Sequence, residues 1–179
     1  MAKVYIALLH HPVYNKRKEV VSTCITGFDL HDIARTALTF GIEKYYVVNH
    51  LPAQLEFARR IIDCWRSEES FTHNWTRAEA FSRVELRKNV DEVISELKDP
   101  IIVATSAKSI GSVSYKSLRD KMKRSKRPFL ILFGTGWGMT EEVTDKVDIM
   151  LKPIIGTDDY NHLSVRAAVA IILDRLFGK

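Results

Sequence analysis

Apolar and polar positions follow one another along the chain in blocks that predict strands and helices in turn. Short, continuously apolar runs typical of buried strands lie at Val4–Leu9 and at residues 129–133. Between them, the segment DLHDIARTALTFG repeats apolar side chains at helical spacing, and Asp29 and Gly41 stand where a helix is capped and ended. The predicted buried stripe of this helix is Leu30, Ile33, Ala34, Ala37 and Leu38.

The rest of the pattern continues this alternation. Further strands are predicted at residues 20–25, 45–49, Ile101–Ala104 and 148–151. Further helices are predicted at Pro52–Arg66, at residues 89–98, at Tyr115–Arg124, from Thr140 onward, and at the C-terminus, where Val165, Val169, Ile172, Leu173 and Leu176 form one face. Residues 67–82 are polar with scattered aromatic side chains, which favours a loop or short irregular structure.

Strands that alternate with helices predict an α/β fold, with a mostly parallel sheet and helices on both of its faces. No linker rich in proline, glycine and serine interrupts the 179 residues, and no repeat or low-complexity tract is present. We therefore expect residues 1–179 to form a single domain.

Composition narrows the function classes. The chain is 46% hydrophobic and 27% charged, as in ordinary globular proteins. No apolar run approaches the roughly 18 residues that a membrane span needs, so no membrane partner is expected. The two cysteines and six scattered histidines show no metal-ligand spacing, so we expect reduced thiols, no metal site and a cytoplasmic location.

The net charge of +5 at pH 7 suits a polyanionic partner such as RNA. The densest basic segment, KSLRDKMKRSKR at residues 116–127, has seven basic residues and one aspartate. This segment is either a contact for nucleic acid or a solvated helix end whose cations complement the helix dipole.

The segment ILFGTGWGMTEEV places Gly134, Gly136 and Gly138 between a predicted strand and a predicted helix. It lacks the G-x-G-x-x-G of a dinucleotide fold and the Lys-Ser/Thr of a P-loop, and Glu141 and Glu142 would repel a phosphate. Two uses of the glycines remain open: a tight turn, or close approach of another group to bare backbone.

Three stretches, taken in order, resemble the SPOUT methyltransferases, the α/β-knot enzymes that methylate RNA with S-adenosylmethionine. They are DLHDIARTALTFGIEKYYVV, FGTGWGMTEEV and LKPIIGTDDYNHLSVRAAVAIIL, and the nearest pattern is that of the tRNA/rRNA ribose methyltransferases. The matched positions are Asp29, His31 and Arg35 in the first motif, the three glycines in the second, and His162-Leu163-Ser164-Val165 in the third. The chain departs from the family where Asp29 replaces asparagine, where His31 replaces glycine, and where the acid of the second motif is missing.

The resemblance implies a deep trefoil knot near the C-terminus and a cofactor pocket made by three loops. S-adenosylmethionine would bind there mainly through backbone groups, with S-adenosylhomocysteine as the product. The implied cofactor-binding residues are Ala104, Thr105, Gly134, Gly136, Gly138, Ile154, Ile155, Gly156, Leu163 and Ser164. Ile155 and Leu163 would pack against the adenine.

The resemblance also implies a catalytic role for Arg35, which would orient the acceptor or its phosphate. The alternative is a solvated arginine. Asp29 is a candidate base if the acceptor is a base nitrogen, although a helix cap is favoured. His10 and His11 end the first strand and are expected at the surface, with substrate contact as the alternative. Trp137 could stack on a base or cover the knot that the resemblance implies.

The function that follows is a methyl transfer to a ribose 2′-hydroxyl or a base nitrogen of RNA, with tRNA preferred over rRNA as the substrate. A homodimer is expected, because members of this superfamily complete each active site with a partner subunit. The alternative function is a non-catalytic RNA- or nucleotide-binding α/β protein that retains the cofactor pocket.

Overall fold

The computed structural model describes residues 2–108, 113–158 and 160–179. Within these ranges the main sheet has six strands, and every neighbouring pair is parallel. The strands are β1 (Val4–Leu9), β4 (Tyr45–Val48), β5 (Val84–Arg87), β6 (Ile101–Ala104), β7 (Phe129–Gly134) and β8 (Ile149–Met150), in the order β5-β4-β1-β7-β6-β8. A separate antiparallel hairpin pairs β2 (Val13–Tyr14) with β3 (Val20–Val21).

Helices connect these strands. They are α1 (Gly27–Thr39), α2 (Pro52–Arg66), α3 (Glu68–His73), α4 (Trp75–Ser82), α5 (Val90–Leu97), α6 (Tyr115–Arg124), α7 (Glu141–Thr144) and α8 (Val165–Phe177). In the described ranges, none of these helices is both long enough and apolar enough to cross a bilayer.

Side chains of β1 alternate between two hydrophobic cores, as the period of a strand requires. Ile6 and Leu8 face a core that contains buried residues of α1, α2, α4, α6 and α8. Ala7 and Leu9 face a smaller core with buried residues of α5, α7 and the hairpin. The predicted α/β fold with helices on both faces is therefore confirmed, although the two faces are covered unequally.

Helix α1 confirms the predicted helix, but its N-cap lies three residues earlier than expected. Thr26, not Asp29, is the N-cap: its Oγ1 accepts a hydrogen bond from the Asp29 N–H at 3.1 Å and donates to Asp29 Oδ2 at 2.6 Å. The end is as predicted, since Gly41 follows the helix with φ +70° and its N–H donates to Leu38 O at 3.1 Å.

The loop prediction for residues 67–82 is wrong, because helices α3 and α4 occupy this segment. Each begins at a side-chain cap: Ser67 accepts from Ser70 N–H, and Asn74 accepts from Arg77 N–H. Buried Phe81 then packs α4 against the core, so tertiary packing and capping outweigh the polar average of the segment. Edge strand β5 was not predicted, and the predicted strand at residues 20–25 shortens to Val20–Val21.

Candidate functional site

A cavity of about 690 Å³ opens at the carboxyl ends of β6, β7 and β8. Parallel sheets place their binding sites at this edge because the connections from several strands meet there. Its lining comes from four parts of the chain: Thr105–Lys108 after β6, Phe133–Met139 with Thr144, the third loop (Met150, Lys152, Pro153, Ile154, Asn161, His162 and Leu163), and Val165, Ala168 and Ile172 of α8.

The middle segment owes its glycines to backbone geometry. Gly136 and Gly138 adopt φ +59° and φ +109°, which side-chain-bearing residues rarely adopt. A Cβ at Gly136 would lie 2.8 Å from the carbonyl oxygen of Tyr14, and a Cβ at Gly134 would lie 2.9 Å from Met139 Cγ. The glycines therefore serve both purposes that the sequence left open: they form a tight turn, and they let other groups approach the backbone closely. Those groups, Tyr14 O and Met139 Cγ, belong to the same chain.

Six of the ten predicted cofactor-binding residues line this cavity: Thr105, Gly134, Gly136, Gly138, Ile154 and Leu163. The other four do not. Ala104 is fully buried in β6, Ile155 is 76% exposed to solvent, Gly156 is exposed, and Ser164 caps α8 by accepting from Ala167 N–H at 3.3 Å. The role of all ten in binding a cofactor stays a prediction.

Sequence reasoning missed several lining residues. Met139 directly follows the glycines, and Lys152 and Asn161 flank the third loop. Ala168 and Ile172 are spaced four apart on α8, so helical periodicity indicates that they share one face. That this face closes a cavity depends on the position of α8 beside β7.

The electrostatic character of the lining is positive. Lys108 and Lys152 are exposed at its rim, and no carboxylate among the described residues lines the cavity. The Lys108 ammonium lies 5.2 Å from the ring centre of Trp137, which is 51% exposed. The site therefore suits a ligand that combines an apolar ring system with an anionic group.

A chain of hydroxyl groups connects the cavity loop to the end of β1. Thr135 Oγ1 donates to the carbonyl oxygen of Leu9 at 2.9 Å, so it accepts from Thr23 Oγ1 at 2.6 Å. Thr23 Oγ1 in turn accepts from Nδ1 of His10 at 2.9 Å. These directions place the His10 proton on Nδ1 and leave Nε2 as a bare acceptor, buried and without a partner among the described residues.

The expectation that His10 lies at the surface is wrong, because only 1% of its area is exposed. Burial lowers the pKa of His10 to about 4, and the nearby Asp29 carboxylate opposes this only in part. Neighbouring His11 is partly exposed and packs against His50 with the two rings tilted by 48° and their centres 3.8 Å apart. Burial and the His50 charge lower the pKa of His11 as well.

The first-motif residues lie on α1 in three different surroundings. Asp29 is largely buried, and its carboxylate accepts from Thr26 and lies 3.7 Å from Nε of Arg166. His31 packs edge-on against Phe81, with ring centres 4.8 Å apart, so this side chain contributes to the core. Arg35 is exposed, does not line the cavity, and makes no side-chain hydrogen bond or ion pair within the described ranges.

Arg166 is a residue that the sequence interpretation left without a role. Its Nη1 donates to Asp32 Oδ2 at 2.8 Å, and its guanidinium carbon lies 5.2 Å from the ring centre of Phe28. The next residue toward the N-terminus, Val165, lines the cavity. Arg166 therefore joins the start of α1 to the start of α8 beside the candidate site.

Comparison with known proteins agrees with this arrangement. The family model described as SAM-dependent RNA methyltransferase matches residues 3–178. An uncharacterised protein of Aquifex aeolicus is 43% identical over 98% of this chain and 89% of its own. A protein of Nitratidesulfovibrio vulgaris named tRNA (guanine-N(1)-)-methyltransferase is 39% identical over 98% of this chain, which spans only 42% of that relative.

Among solved structures, one concerned with 2-OH methylation of C/U34 on tRNA has a TM-score of 0.63 at 16% identity. The match covers 98% of this chain and 95% of that one. At this identity the likeness shows the fold alone, and it agrees with the predicted α/β class; the trefoil knot stays a prediction. The match of the family model over nearly all of the sequence decides the assignment: the chain belongs to the family of SAM-dependent RNA methyltransferases.

Proposed function

We propose that this chain transfers the methyl group of S-adenosylmethionine to a tRNA, at a ribose 2′-hydroxyl or a base nitrogen. The observation that carries the proposal is the cavity at the carboxyl ends of β6, β7 and β8, whose lining combines bare glycine backbone with apolar side chains. The relative named as a tRNA methyltransferase supports tRNA as the substrate. The non-catalytic alternative is not favoured, because the matching family consists of methyltransferases.

The cavity fits the cofactor in size and in chemistry. Its volume of about 690 Å³ lies in the range of sites for small molecules. Backbone N–H and C=O groups of the glycine loop can bind the uncharged adenine, with Ile154 and Leu163 as apolar walls. The ammonium groups of Lys108 and Lys152 can attract the carboxylate of the methionine part. S-adenosylmethionine supplies a methyl group that its sulfonium charge makes electrophilic.

We propose that Arg35 orients the acceptor or an adjoining phosphate. Its guanidinium is exposed and unpaired in the described ranges, and it lies one turn beyond Asp32 on the α1 face that meets Arg166. A guanidinium stays protonated in proteins, so positioning suits its chemistry better than proton removal.

Arg35 does not line the cavity of its own subunit, and this supports a homodimer in which Arg35 of one subunit serves the cavity of the other. Large apolar side chains are exposed at the start of α1 and on the third loop, as expected for an interface: Phe28, Ile155, Tyr160 and Leu163. We expect light scattering at micromolar concentration to give twice the mass of the chain. A monomer that methylates RNA at the same concentration would contradict the shared site.

The test is the transfer of tritiated methyl groups to total RNA from a strain that lacks the gene. Arg35→Ala is expected to keep its affinity for S-adenosylmethionine and to lose about 100-fold in methyl transfer, because a misplaced acceptor costs a factor of that order. Arg35→Lys should recover little, since lysine cannot form the planar two-point contact. Arg59→Ala, an exposed arginine on α2, is the matched control and should retain activity.

Mass spectrometry of the nucleosides in the methylated RNA then identifies the acceptor atom. Full activity of Arg35→Ala would leave the arginine a solvated side chain. Failure of the wild-type protein to bind S-adenosylmethionine in calorimetry would contradict the proposed function itself.

A further inference from the structure

The β2–β3 hairpin is bonded to the loop that forms the middle of the cavity. Tyr14 N–H donates to Gly138 O at 2.8 Å, and Trp137 N–H donates to Tyr14 O at 2.8 Å. Val13 also forms an antiparallel bridge with Met139. The hairpin and the glycine loop are therefore one structural unit.

The tip of this hairpin carries three cations in succession, Lys16, Arg17 and Lys18. All three residues are exposed, and no carboxylate of the described residues lies within 4 Å of their side-chain nitrogens. The one acid of the tip, Glu19, accepts a hydrogen bond from Asn15 Nδ2 at 2.6 Å. Three cations against one acid leave the tip with a net charge of +2, which is complementary to a polyanion.

Hydrogen bonds centred on Asn15 fix the backbone of the tip. Asn15 Oδ1 accepts from the N–H groups of Arg17 at 2.8 Å and Glu19 at 3.0 Å. Lys18 N–H donates to Asn15 O at 3.1 Å, and Lys18 adopts φ +62°. Because the backbone is already ordered, binding an anion here would cost little conformational entropy beyond that of the side chains.

We propose that the hairpin tip binds phosphates of the substrate RNA next to the nucleotide that enters the cavity. This inference rests on the proposed function. Lys16 follows Tyr14 by two residues, so their Cα atoms are at most about 7.6 Å apart, and Tyr14 is bonded to the cavity loop. Lys16 therefore lies close to the loop that lines the cavity, and Arg17 and Lys18 follow it directly along the chain.

The other basic segment, on α6, is less suited to this position. Its C-terminal half lies at the amino ends of the strands, since Ala2 N–H just before β1 donates to Met122 O at 3.1 Å. The cavity opens at the opposite edge of the sheet. The basic segment therefore lies at the edge of the sheet away from the cavity, whereas the hairpin is bonded to the loop that lines the cavity.

The test compares two triple variants that remove the same charge. The hairpin variant carries Lys16→Gln, Arg17→Gln and Lys18→Gln. The control variant carries Lys3→Gln, Lys98→Gln and Lys126→Gln, exposed positions that precede β1, β6 and β7 at the far edge of the sheet. The two are also matched in backbone, because Lys98 has φ 52° and Lys18 has φ 62°.

The probe is total tRNA from a strain that lacks the gene, bound at a series of salt concentrations and methylated under steady-state conditions. In the hairpin variant the KM for tRNA should rise at least tenfold, with kcat changed less than threefold. The slope of log affinity against log salt should fall by about 2 to 3, roughly one for each phosphate that the variant no longer binds. Affinity for S-adenosylmethionine without RNA should be unchanged.

The control variant should change the KM less than threefold. Equal changes in the two triple variants would attribute the effect to net charge and overturn the proposal, as would an unchanged KM and salt slope in the hairpin variant. If the wild-type protein methylates no RNA, the proposed function fails, and the two salt slopes alone decide whether the hairpin binds phosphates.

Discussion

Protonation of His10 is expected to destabilise the protein as the pH falls from 7.5 to 5. The hydroxyl chain through Thr23 and Thr135 uses Nδ1–H, so the added proton must go to Nε2. Nε2 is buried and has no acceptor among the described residues. The imidazolium would therefore be a buried charge with one unbonded donor, which is why burial lowers the pKa of His10 to about 4.

The direction of the pH effect follows from linkage. The pKa of His10 in the folded protein lies below the usual histidine value of 6.5, so the unfolded chain binds more protons between these two values. The contribution of neutral His10 to the free energy of unfolding is fully present above pH 6.5 and is lost as the pH falls toward 4. The free energy of unfolding should decrease by about 2 kcal/mol between pH 7.5 and pH 5, because each pKa unit is worth about 1.4 kcal/mol. A loss of this size lowers Tm by about 4–8 °C in a chain of this length.

Urea denaturation at pH 7.5 and pH 5 measures this loss in the wild type and in His10→Asn. Asparagine does not titrate, and its amide can still donate to Thr23, so the pH-dependent loss should shrink by about 2 kcal/mol whatever the variant's stability at pH 7.5. Burial also lowers the pKa values of His11 and His31, and their contributions remain in both proteins. His73→Asn, at an exposed position on α3, should leave the pH-dependent loss as in the wild type. An equal loss in His10→Asn and wild type would refute the assignment to His10.

Three further predictions concern stability. Gly136→Ala should lower the free energy of unfolding by about 1–3 kcal/mol, because a φ of +59° strains an alanine backbone and the added Cβ would meet Tyr14 O. Gly27→Ala, where nothing lies near the added Cβ, is the control, and equal melting temperatures of the two variants would contradict the role of the turn. Thr26→Ala removes the α1 cap and should cost about 0.5–2 kcal/mol in urea denaturation, so an unchanged midpoint would speak against capping. Burial opposes ionisation of Glu96, but hydrogen bonds from Lys44, Arg87 and Tyr46 outweigh it and lower the pKa of Glu96 to about 2. The stabilisation of the folded protein by ionised Glu96 should therefore be present above pH 4.5 and fall as the pH decreases to 2. Glu96→Gln should lose about 1 kcal/mol at pH 7, after solvent screening, and no loss would show that the network contributes nothing measurable.

The local pattern of the sequence was sufficient to predict most elements of the fold. Buried strands such as Val4–Leu9 are continuously apolar because both faces of a parallel sheet are covered, and this leaves a clear signal. Helix α2 matches the predicted Pro52–Arg66 because proline at the first position and the apolar spacing are both local features. The three motifs also indicated the correct family, since they depend on residue type and order.

The prediction was wrong where a segment is stabilised from outside itself. Helices α3 and α4 look polar along the sequence, and β5 is a short edge strand whose partner, β4, lies more than 30 residues earlier. His10 looks like a surface residue because nothing near it in sequence shows that Thr23 and Thr135 will enclose it. Burial of a polar group depends on partners that only the assembled fold supplies.

The candidate site divides in the same way. Residue type alone drew attention to the glycine loop, because backbone freedom is a property of single residues, whereas the third loop and Arg35 were indicated by the resemblance to the methyltransferase motifs. Only the tertiary structure decided that Ile154 and Leu163 line the cavity while Ile155 points to solvent, and that the hairpin is bonded to the glycine loop. The physical reason is that sequence periodicity records how much of each residue is buried, whereas contacts between segments more than 100 residues apart depend on how strands and helices are ordered in space.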